Sequence, residues 1–483
     1  MEPILLIHGY SSEGKGNTAK KIYGSLPREL RKQFGRQNVK EIDLSRWISL
    51  SDGVTLDDVS FAMERAMRAE HADLLTNGFH IIIHSTGALV VRNWIKKFSP
   101  KPCPIINLVH LAGANFGSGL AHIGRGQLSR WGRLIFQGTG RGTQILNELE
   151  FGSWKTIDLH LHFLMPDNDM LHDYQVQEYC VIGSQTLGIL RAVPIRYVKE
   201  DSADNTVRTS AGNLNFNYLP VTPRPRAFKL GVRSLNLLVK KRLNDKKFTD
   251  TCYEYDTALL SANRQEVPYS IAYETAHFGG DIGIVSGKKN RTSIMPLIKK
   301  ALATPYNLGR YQKVAERYRD ATDKTFTRAA KLKSNWFEWN KQAQYEGHAQ
   351  LIFRLKDQNG NAVEHFDIRL NSENTKEDVP KLEKMIEDHH GNKVDKGAIT
   401  FYLRTQKFNP RSKSWRDLLK TVAAVNVEIT GYEPESGEIS YVPVNIELDN
   451  AQINEVLQSF RTTIIDVTLA RLPSAHVFEI EQA

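Results

Sequence analysis

One short stretch, residues 79–94, constrains the fold of this chain more than any other part of its sequence. Its first residues, 79–83, form a β-branched apolar run that predicts a buried parallel strand. Apolar residues then recur at the spacing of one helix face in the following segment, ALVVRNWI. Only residues 84–87 separate the two elements, so the chain must turn from strand to helix at Ser85.

A turn this tight predicts a strained backbone at Ser85, which carries the hydroxyl clear of the main chain, as a nucleophile requires. The usual pattern for such a turn is Gly-x-Ser-x-Gly. Here Gly87 supplies the second glycine, whereas Ile83 replaces the first, so either a neighbouring strand or helix stands off to make room or the turn is less tight. The other interpretation is a serine N-cap on an ordinary helix. The stretch by itself leaves both open.

Apolar runs typical of buried strands alternate with helical patterns on both sides of this stretch. Predicted strands cover residues 4–8, 39–44, 79–83, 104–112 and 176–182, and predicted helices cover 17–34 and 56–75. This alternation predicts an α/β fold, a parallel sheet with helices on both faces.

The composition is that of an ordinary soluble globular protein, with 41% hydrophobic and 24% charged residues. The 483 residues have room for roughly two to four domains. No apolar run approaches the ~20 residues of a bilayer-spanning helix. The three cysteines, Cys103, Cys180 and Cys252, have neither metal-ligand spacing nor a disulfide pattern, so we expect inert thiols of a reducing compartment.

The start of the chain and its net charge bear on location and partners. Because residues 3–7 already have the pattern of a core strand, we expect no signal peptide and a cytoplasmic protein, with any export by a non-classical route. The net charge of +10 favours contact with anionic surfaces, phospholipid headgroups or nucleic acid, without choosing between them. A solvated basic face is the alternative.

Several segments, in this order, resemble the α/β-hydrolase fold of serine lipases and esterases. They are the strand end LLIHGY, the turn IIIHSTG, the segment LAGANFGSGLA at 111–121, an aspartate-bearing loop at 201–207, and His277. The resemblance covers about residues 1–300 and is nearest to bacterial lipases and phospholipases of the H-S-x-G-G/A-L-V-V-R type. Type VI secretion lipase effectors are a further analogy, because they also combine a hydrolase lacking a signal peptide with an extra domain.

The resemblance implies a catalytic triad in the chain order serine, acid, histidine, with Ser85 as the nucleophile. The acid belongs after the predicted strand 176–182, where the sequence reads EDSADNTV. Asp204 matches the aspartate of the lipase D-G-x-V loop, with Asn205 in the glycine's place, since asparagine also tolerates a left-handed turn. Asp201 is the alternative acid.

His277 is the candidate general base. It follows a strand-like segment at 269–273 and precedes a short apolar return, as the resemblance implies for the triad histidine. His84 and His172 are weaker candidates, because neither follows the acid in chain order.

A tetrahedral oxyanion needs two N–H donors that are already in place. The resemblance implies the N–H groups of Thr86, which follows the nucleophile, and of Tyr10, which follows His8-Gly9, with Ser11 as an alternative to Tyr10. A glycine at position 9 lets the backbone turn its N–H inward.

The domain division predicted from these patterns has three parts. A catalytic α/β-hydrolase domain covers 1–303, a basic helical connector covers 304–346, and an accessory β-sandwich covers 347–483. Lid-like insertions are predicted at 117–173 and 213–266.

The second insertion contains a basic, leucine-bearing segment at 233–247 with Lys240, Lys241 and Arg242. That composition is typical of a helix lying on an anionic membrane surface, and a packed surface helix is the alternative.

In the C-terminal part, predicted strands 350–355 and 363–370 flank Asn359-Gly360, a strong hairpin signal. A helix is predicted at 376–388, and further strands at 399–403, 424–429, 439–448, 463–469 and 477–480. Alternating strands with turn signals predict a β-sandwich. One hypothesis is that this domain binds a protein partner; we expect no specific nucleic-acid binding.

Asp388, His389, His390 and Asp395 raise the question of a metal site. Such residues in a glycine-rich loop are more often solvated, so we expect no metal.

Together these features predict a serine hydrolase of carboxylic esters, with a lipid and by preference a phospholipid as substrate, and no cofactor. Two alternatives remain open at this point. One is an acyltransferase or thioesterase with the same triad, and the other is a catalytically inactive hydrolase-fold binding protein.

Overall fold

The computed structural model describes residues 2–7, 22–49, 51–119, 121, 142–187, 196–225, 253–261, 265–333, 341–375, 380–434 and 439–473. Within these ranges the chain forms a parallel sheet flanked by helices and a second, β-rich region packed beside it.

Six strands form the first sheet: β1 (Ile4–Ile7), β2 (Val39–Ile42), β3 (Phe79–His84), β4 (Ile105–Leu111), β5 (Gln177–Gly183) and β9 (Tyr269–Ala272). They lie in the order β2-β1-β3-β4-β5-β9, and all neighbouring pairs are parallel. Every residue of β3 is buried, which explains its continuous apolar run, because a sheet covered on both faces leaves no polar side. The predicted α/β-hydrolase sheet is confirmed.

The described helices are α1 (Leu26–Phe34), α2 (Leu56–Glu70), α3 (Leu74–Asn77), α4 (Gly87–Phe98), α5 (Thr143–Leu149), α6 (Trp154–His162), α7 (Arg291–Leu302), α8 (Leu308–Ala329) and α9 (Asn450–Val456). Side chains of α2, α4 and α6 pack on one face of the first sheet, where they meet Ile81 and Ile83 of β3. Side chains of α1, α7 and α8 pack on the other face, where they meet Ile82. Adjacent residues of one strand therefore belong to different cores.

The second sheet is mixed. Its strands are β12 (Ile386–Gly391), β13 (Ala398–Arg404), β10 (His348–Asp357), β19 (Thr462–Leu469), β6 (Asn217–Pro225) and β7 (Tyr253–Thr257), in that order, with β8 (Leu260–Ser261) beside β6. The pairs β10–β19 and β19–β6 are parallel, and the others are antiparallel.

The strands β6 and β7 come from the segment 213–266, which the sequence analysis assigned to a lid-like insertion of the catalytic domain. In the structure this segment instead supplies strands to the second sheet, so the sheet combines chain from both sides of position 303. The segment joins this sheet because β6 pairs with one edge of β19. Residues Asn217 to Val221 of β6 lie parallel to Thr463 to Val467 of β19. The basic segment 233–247 lies outside the described residues.

The first predicted insertion, 117–173, is described only in part. Its section from 142 onward forms α5 and α6, which bury Phe151, Ile157 and Leu159 in the main core. Residues 122–141, where a lid would open, lie outside the described ranges.

A third, antiparallel sheet consists of β11 (Phe366–Asn374), β16 (Val422–Gly431) and β18 (Val444–Asp449). It shares one apolar core with the second sheet, in which Val427 and Ile446 join Phe353 and Val467. Two short pairs, β14 (Gln406–Asn409) with β15 (Ser414–Asp417) and β17 (Ile439–Tyr441) with β20 (Arg471–Pro473), complete the region. The predicted C-terminal β-sandwich is therefore two sheets packed on a common core.

The hairpin predicted at Asn359-Gly360 forms only next to the turn, where Lys356 and Ala362 pair in an antiparallel bridge and the N–H of Val363 donates to Leu355 O at 3.1 Å. A turn does form there, since Asp357 Oδ1 accepts the N–H groups of Asn359 and Asn361 at 2.8 and 2.9 Å, and Gly360 has φ +88°. However, β10 pairs with β13 and β19, whereas β11 pairs with β16 in the third sheet. Before this point, from Gln350 to Arg354, both edges of β10 are occupied by β13 and β19, so the returning chain leaves β10 and crosses to the other layer.

The helix predicted at 376–388 is also wrong at its C-terminal end. Residues Leu382–Met385 form one 3-10 turn, and Ile386–Gly391 is the edge strand β12. Its buried positions are Asp388 and His390, so the inward face is polar and the usual apolar alternation is missing.

The second sheet packs directly against the hydrolase core. Along β10, Ile352 belongs to the core of the first sheet, whereas its neighbours Leu351 and Phe353 belong to the core of the sandwich. The predicted connector forms α8, whose Tyr311 and Tyr318 are buried against the first sheet. Phe326 of α8 lies 5.5 Å from the rings of Trp415 and Phe460, so this helix contacts both regions.

None of the helices in the described ranges combines the length and apolar character that a bilayer-spanning segment needs.

Candidate active site

Ser85 lies at a sharp turn between a buried strand and a buried helix. It directly follows β3 and has φ +56°, and α4 begins two residues later at Gly87. Its N–H donates to Leu111 O at 3.3 Å, and its C=O accepts from the N–H of Ala114 at 3.2 Å. A positive φ is strained for a residue with a Cβ, and here the neighbouring strand end holds it in place. The predicted strained turn is present.

A continuous chain of hydrogen bonds connects Ser85, His277 and Asp204. His277 Nε2 lies 3.0 Å from Ser85 Oγ, and His277 Nδ1 lies 2.9 Å from Asp204 Oδ2. Asp204 has no exposed surface and His277 is 4% exposed, whereas Ser85 is half-buried. Hydrogen bonds therefore connect the three side chains in series through His277, and Ser85 is the most exposed of them.

The loop that carries Asp204 is organised by the same carboxylate. Asp204 Oδ1 accepts the backbone N–H groups of Thr206 at 3.1 Å and Val207 at 2.8 Å. Asn205 adopts φ +73°, the left-handed conformation expected for a residue in the position of a glycine. The C=O of Asp204 also accepts the N–H of His277 at 2.8 Å, so backbone and side chain hold the histidine at the same time.

Asp201, the alternative acid, points elsewhere. Its Oδ2 lies 3.4 Å from Nη2 of Arg404 on β13.

The loop that carries His277 lies with its backbone against the end of β5. A Cβ built on Gly183 would lie 2.0 Å from the carbonyl oxygen of Thr275, two residues before His277. Only glycine fits there, because any side chain would push the loop away from the sheet. Asn290 Nδ2 holds the far side of this loop by donating to Ile282 O at 2.7 Å.

The two weaker histidine candidates are placed differently. The ring of His84 lies 4.6 Å from the ring of His277, and its Nε2 donates to the His277 carbonyl oxygen at 3.2 Å, so His84 packs against His277. His172 lies in the loop before β5, where its N–H donates to Asp169.

One of the two predicted oxyanion donors is described. Thr86 is buried at the start of α4, and among the described residues no group accepts a hydrogen bond from its N–H. That N–H therefore remains available beside Ser85 Oγ. Tyr10 and Ser11, with His8-Gly9, lie outside the described residues.

The residues that raised the question of a metal site form bonds between the two regions. Asp388 pairs with Arg208 at 2.6 Å, His390 Nε2 lies 3.0 Å from Glu150, and Asp395 accepts the N–H of Trp154 at 2.8 Å. His389 is exposed on β12. In the part of the chain that the structure describes, no group of acidic, histidine or cysteine side chains has the arrangement of a metal site.

Two residues, Arg208 and Tyr402, were not predicted from the sequence. Both lie beside the loop that carries Asp204, residues 201–207, here called the acid loop. Both are buried and both contact residues 200–202. For Arg208 the only signal was its closeness to Asp204 along the chain. For Tyr402, distant in sequence, no local pattern pointed to the site.

The sheet order, the turn at Ser85 and the hydrogen-bonded chain from Ser85 through His277 to Asp204 are those of an α/β-hydrolase fold. The whole chain superimposes on a solved structure, phospholipase PlaB from Legionella pneumophila in complex with thio-NAD, with a TM-score of 0.77 and 21% identity, covering 100% of this chain and 96% of that one. A second structure of PlaB gives a TM-score of 0.76 at the same identity and coverage. This likeness shows a shared fold along the full chain. The shared fold includes the second and third sheets, here called the accessory region.

A further solved structure matches a smaller part of the chain. Bacillus licheniformis lipase BlEst2 in its mature form covers 44% of this chain and 79% of its own, with a TM-score of 0.31 and 13% identity. No protein-family model and no curated protein sequence matches this chain.

Proposed function

We propose that the protein is a serine hydrolase that cleaves carboxylic esters through an acyl-Ser85 intermediate. The observation that carries the proposal is the hydrogen-bonded chain from Ser85 Oγ to His277 to a fully buried Asp204, at a strained strand-to-helix turn. A serine hydroxyl is a weak nucleophile until a neighbouring base accepts its proton, and this arrangement supplies the base and the group that orients it.

In the first half of the reaction, Ser85 Oγ attacks the ester carbonyl carbon while His277 Nε2 accepts the hydroxyl proton. Asp204 keeps the proton of His277 on Nδ1 and stabilises the imidazolium that forms. The negative carbonyl oxygen of the tetrahedral intermediate accepts the N–H of Thr86, with Tyr10 as the predicted second donor. Collapse of this intermediate breaks the bond to the alcohol, which leaves with the proton from His277.

In the second half, water takes the place of the alcohol. His277 removes a proton from the attacking water, and the resulting tetrahedral intermediate collapses by breaking the bond to Ser85 Oγ, which takes back the proton from His277. The products are a carboxylic acid and the free serine, so atoms and protons balance without a cofactor.

For the substrate we propose a lipid ester, by preference a phospholipid. Two observations support this choice. The chain shares its fold over its full length with a protein described as a phospholipase, and it carries a net charge of +10, which favours anionic headgroups. Fold alone does not select a substrate, so the choice depends on the vesicle experiment described in the Discussion.

A fluorophosphonate probe tests the reaction, because it modifies only an activated serine. We expect wild-type protein to be labelled at Ser85 and to hydrolyse a short-chain ester. Ser85→Ala should lose labelling and about 10³-fold or more of the hydrolysis rate. Ser99→Ala is the matched control, since Ser99 is also half-buried and lies at the opposite end of α4.

Circular dichroism of each variant confirms that the fold is retained. A folded Ser85→Ala protein that is still labelled and still hydrolyses ester at the wild-type rate would overturn the proposal. Transfer of the acyl group to an added alcohol in preference to water would indicate an acyltransferase with the same triad.

A further inference from the structure

A buried arginine joins the loop of Asp204 to the second sheet. The backbone of Arg208 pairs with that of Ala203 across the base of this loop, next to Asp204. The Arg208 side chain is 1% exposed, and its Nε and Nη2 donate to the Glu200 carboxylate at 2.9 and 2.7 Å. Nη2 also donates to Asp388 Oδ2, on β12, at 2.6 Å. One guanidinium thus binds both the loop and the accessory region.

Two aromatic rings fix the plane of that guanidinium. Its central carbon lies 4.2 Å from the centre of the Phe151 ring and 4.1 Å from the centre of the Tyr402 ring. Phe151 follows α5 in the hydrolase region, whereas Tyr402 lies on β13. A planar guanidinium stacks on both rings while it keeps its bidentate bond to Glu200, which a lysine ammonium cannot do.

Tyr402 also holds the loop directly. Its hydroxyl lies 2.9 Å from the carbonyl oxygen of Asp201 and 3.2 Å from that of Ser202, the residues that lead into Asp204. Burial raises the pKa of the Tyr402 phenol well above its ordinary value of 10, so the hydroxyl remains protonated and donates to these carbonyls. On the other edge, the N–H of Ser202 donates to Gln344 O at 3.1 Å.

We propose that Arg208 and Tyr402 are positioning residues through which the second sheet fixes the Asp204 loop and, with it, the orientation of His277. The loop-side hydrogen bonds of the two side chains go to Glu200, Asp201 and Ser202, so each acts through the loop. The accessory region is then part of the catalytic apparatus, because it supplies the surface on which the acid loop rests. The inference rests on the proposed function, in which Asp204 orients the base.

Such support matters because a triad works only within narrow geometric limits, and a misplacement of about 1 Å costs on the order of 10²-fold in rate. Along the chain, Asp204 lies between Asp201 and Ser202, whose carbonyl oxygens Tyr402 holds, and Arg208 itself. Its carboxylate keeps its 2.9 Å bond to His277 Nδ1 only while both sides of the loop stay in place.

The test compares Tyr402→Phe and Arg208→Lys with Tyr318→Phe. Tyr402→Phe removes the hydroxyl and keeps the ring that stacks on Arg208. Tyr318 is the matched control, because it is equally buried and its hydroxyl donates to one backbone carbonyl, Leu297 O at 3.0 Å, far from the acid loop in the chain.

Two measurements are made on each folded variant: kcat and KM for a soluble short-chain ester, and the downfield proton resonance of the Nδ1–H of His277. We expect the two loop variants to lose about 3- to 30-fold in kcat with little change in KM. Since a displaced carboxylate accepts a weaker hydrogen bond from Nδ1–H, the resonance should shift upfield. Tyr318→Phe should resemble wild type in both measurements.

An unchanged kcat and an unchanged resonance in folded Tyr402→Phe and Arg208→Lys would overturn the inference. A loss of activity equal to that of Tyr318→Phe, with the resonance unmoved, would do the same, since it would indicate a merely structural role. If Arg208→Lys fails to fold, Tyr402→Phe decides. If wild type hydrolyses no ester, the proposed function fails, and the resonance alone still reports whether the loop is held by Tyr402.

Discussion

Asp204 uses its two carboxylate oxygens for different tasks. Oδ2 contacts the imidazole at 2.9 Å, while Oδ1 accepts the N–H groups of Thr206 and Val207. An ionised carboxylate only accepts hydrogen bonds, so Nδ1 of His277 must carry the proton and Nε2 is left free to receive the one from Ser85. The choice of tautomer at His277 therefore depends on one residue.

Replacing Asp204 or Asp201 by asparagine shows which of the two residues acts as the acid. We expect Asp204→Asn to lower kcat by about 10²- to 10⁴-fold, because an amide can donate to Nδ1 and select the wrong tautomer. Asp201→Asn weakens one half-exposed ion pair with Arg404, so a change below about threefold is expected. Steady-state hydrolysis of a short-chain ester measures both, with circular dichroism as the control for folding. The opposite ranking would transfer the acid role to Asp201.

At the level of elements, a buried ion pair connects α4, the helix that follows Ser85, to strand β5. Arg92 of α4 donates to Glu178 Oε2 of β5 at 2.5 Å, and His110 Nε2 of β4 lies 3.1 Å from Glu178 Oε1. Burial by itself raises the pKa of the Glu178 carboxyl, but the Arg92 guanidinium and the His110 imidazole outweigh it and lower the pKa to about 2. The pair therefore links α4 to the middle of the sheet through charge.

This pair predicts a stability that depends on pH. A carboxyl whose pKa is lower in the folded protein than in the unfolded chain stabilises the fold above its unfolded pKa, near 4.5, and that contribution is lost as the pH falls toward 2. The linked free energy is about 3 kcal/mol. Urea unfolding between pH 5 and pH 2.5 should show this decline in wild type and a smaller one in Glu178→Gln.

Glu178→Gln should also be less stable than wild type at pH 7, by about 3 to 5 kcal/mol, because Arg92 loses its buried partner. Glu447→Gln, an exposed substitution on β18, is the control and should retain the wild-type pH profile. An identical pH dependence in wild type and Glu178→Gln would show that this carboxyl does not contribute.

At the scale of the whole molecule, the accessory region is integrated with the hydrolase and is not a separate appendage. Strand β6 leaves the hydrolase shortly after the acid loop and pairs with β19. Arg354 of β10 binds Asp158 of α6 at 2.5 Å and Asp466 of β19 at 2.7 Å, which fastens the second sheet to a helix of the first core. We expect the two regions to move as one unit at the acid loop.

The proposed lipid substrate leads to a prediction about surfaces. We expect faster hydrolysis of anionic phospholipid vesicles than of neutral ones, since each basic residue near an anionic surface contributes about 1 kcal/mol, and salt should weaken the difference. Replacement of Lys240, Lys241 and Arg242 by glutamine should reduce the preference.

The control replaces three exposed basic residues of the β14–β15 region, Lys407, Arg411 and Lys413, by glutamine, which changes net charge equally. If both triple variants reduce the preference equally, net charge and not the segment 233–247 is responsible. Equal rates on both vesicle types, insensitive to salt and to either set of substitutions, would reopen soluble esters as the substrate.

The sequence alone determined the α/β-hydrolase sheet and the order of its elements. These depend on local patterns, the continuous apolar run before Ser85 and the helix period after it, and a buried parallel strand leaves that pattern in any chain. The sharp turn at Ser85 follows in the same way, because too few residues separate strand from helix for any other path. The candidate site residues were named through chain order and the family resemblance.

Which side chains and strands come into contact depends on the tertiary structure. Asp201 and Asp204 lie in one short loop, and the fold brings Asp204 to His277 and Asp201 to Arg404. Strand β12 has a polar inner face because it packs on Arg208, and β6 pairs with a strand from the far end of the chain. Local sequence encodes whether a segment becomes strand or helix; the choice of its partner depends on long-range packing, hydrogen bonding and charge, which arise only when distant segments come together.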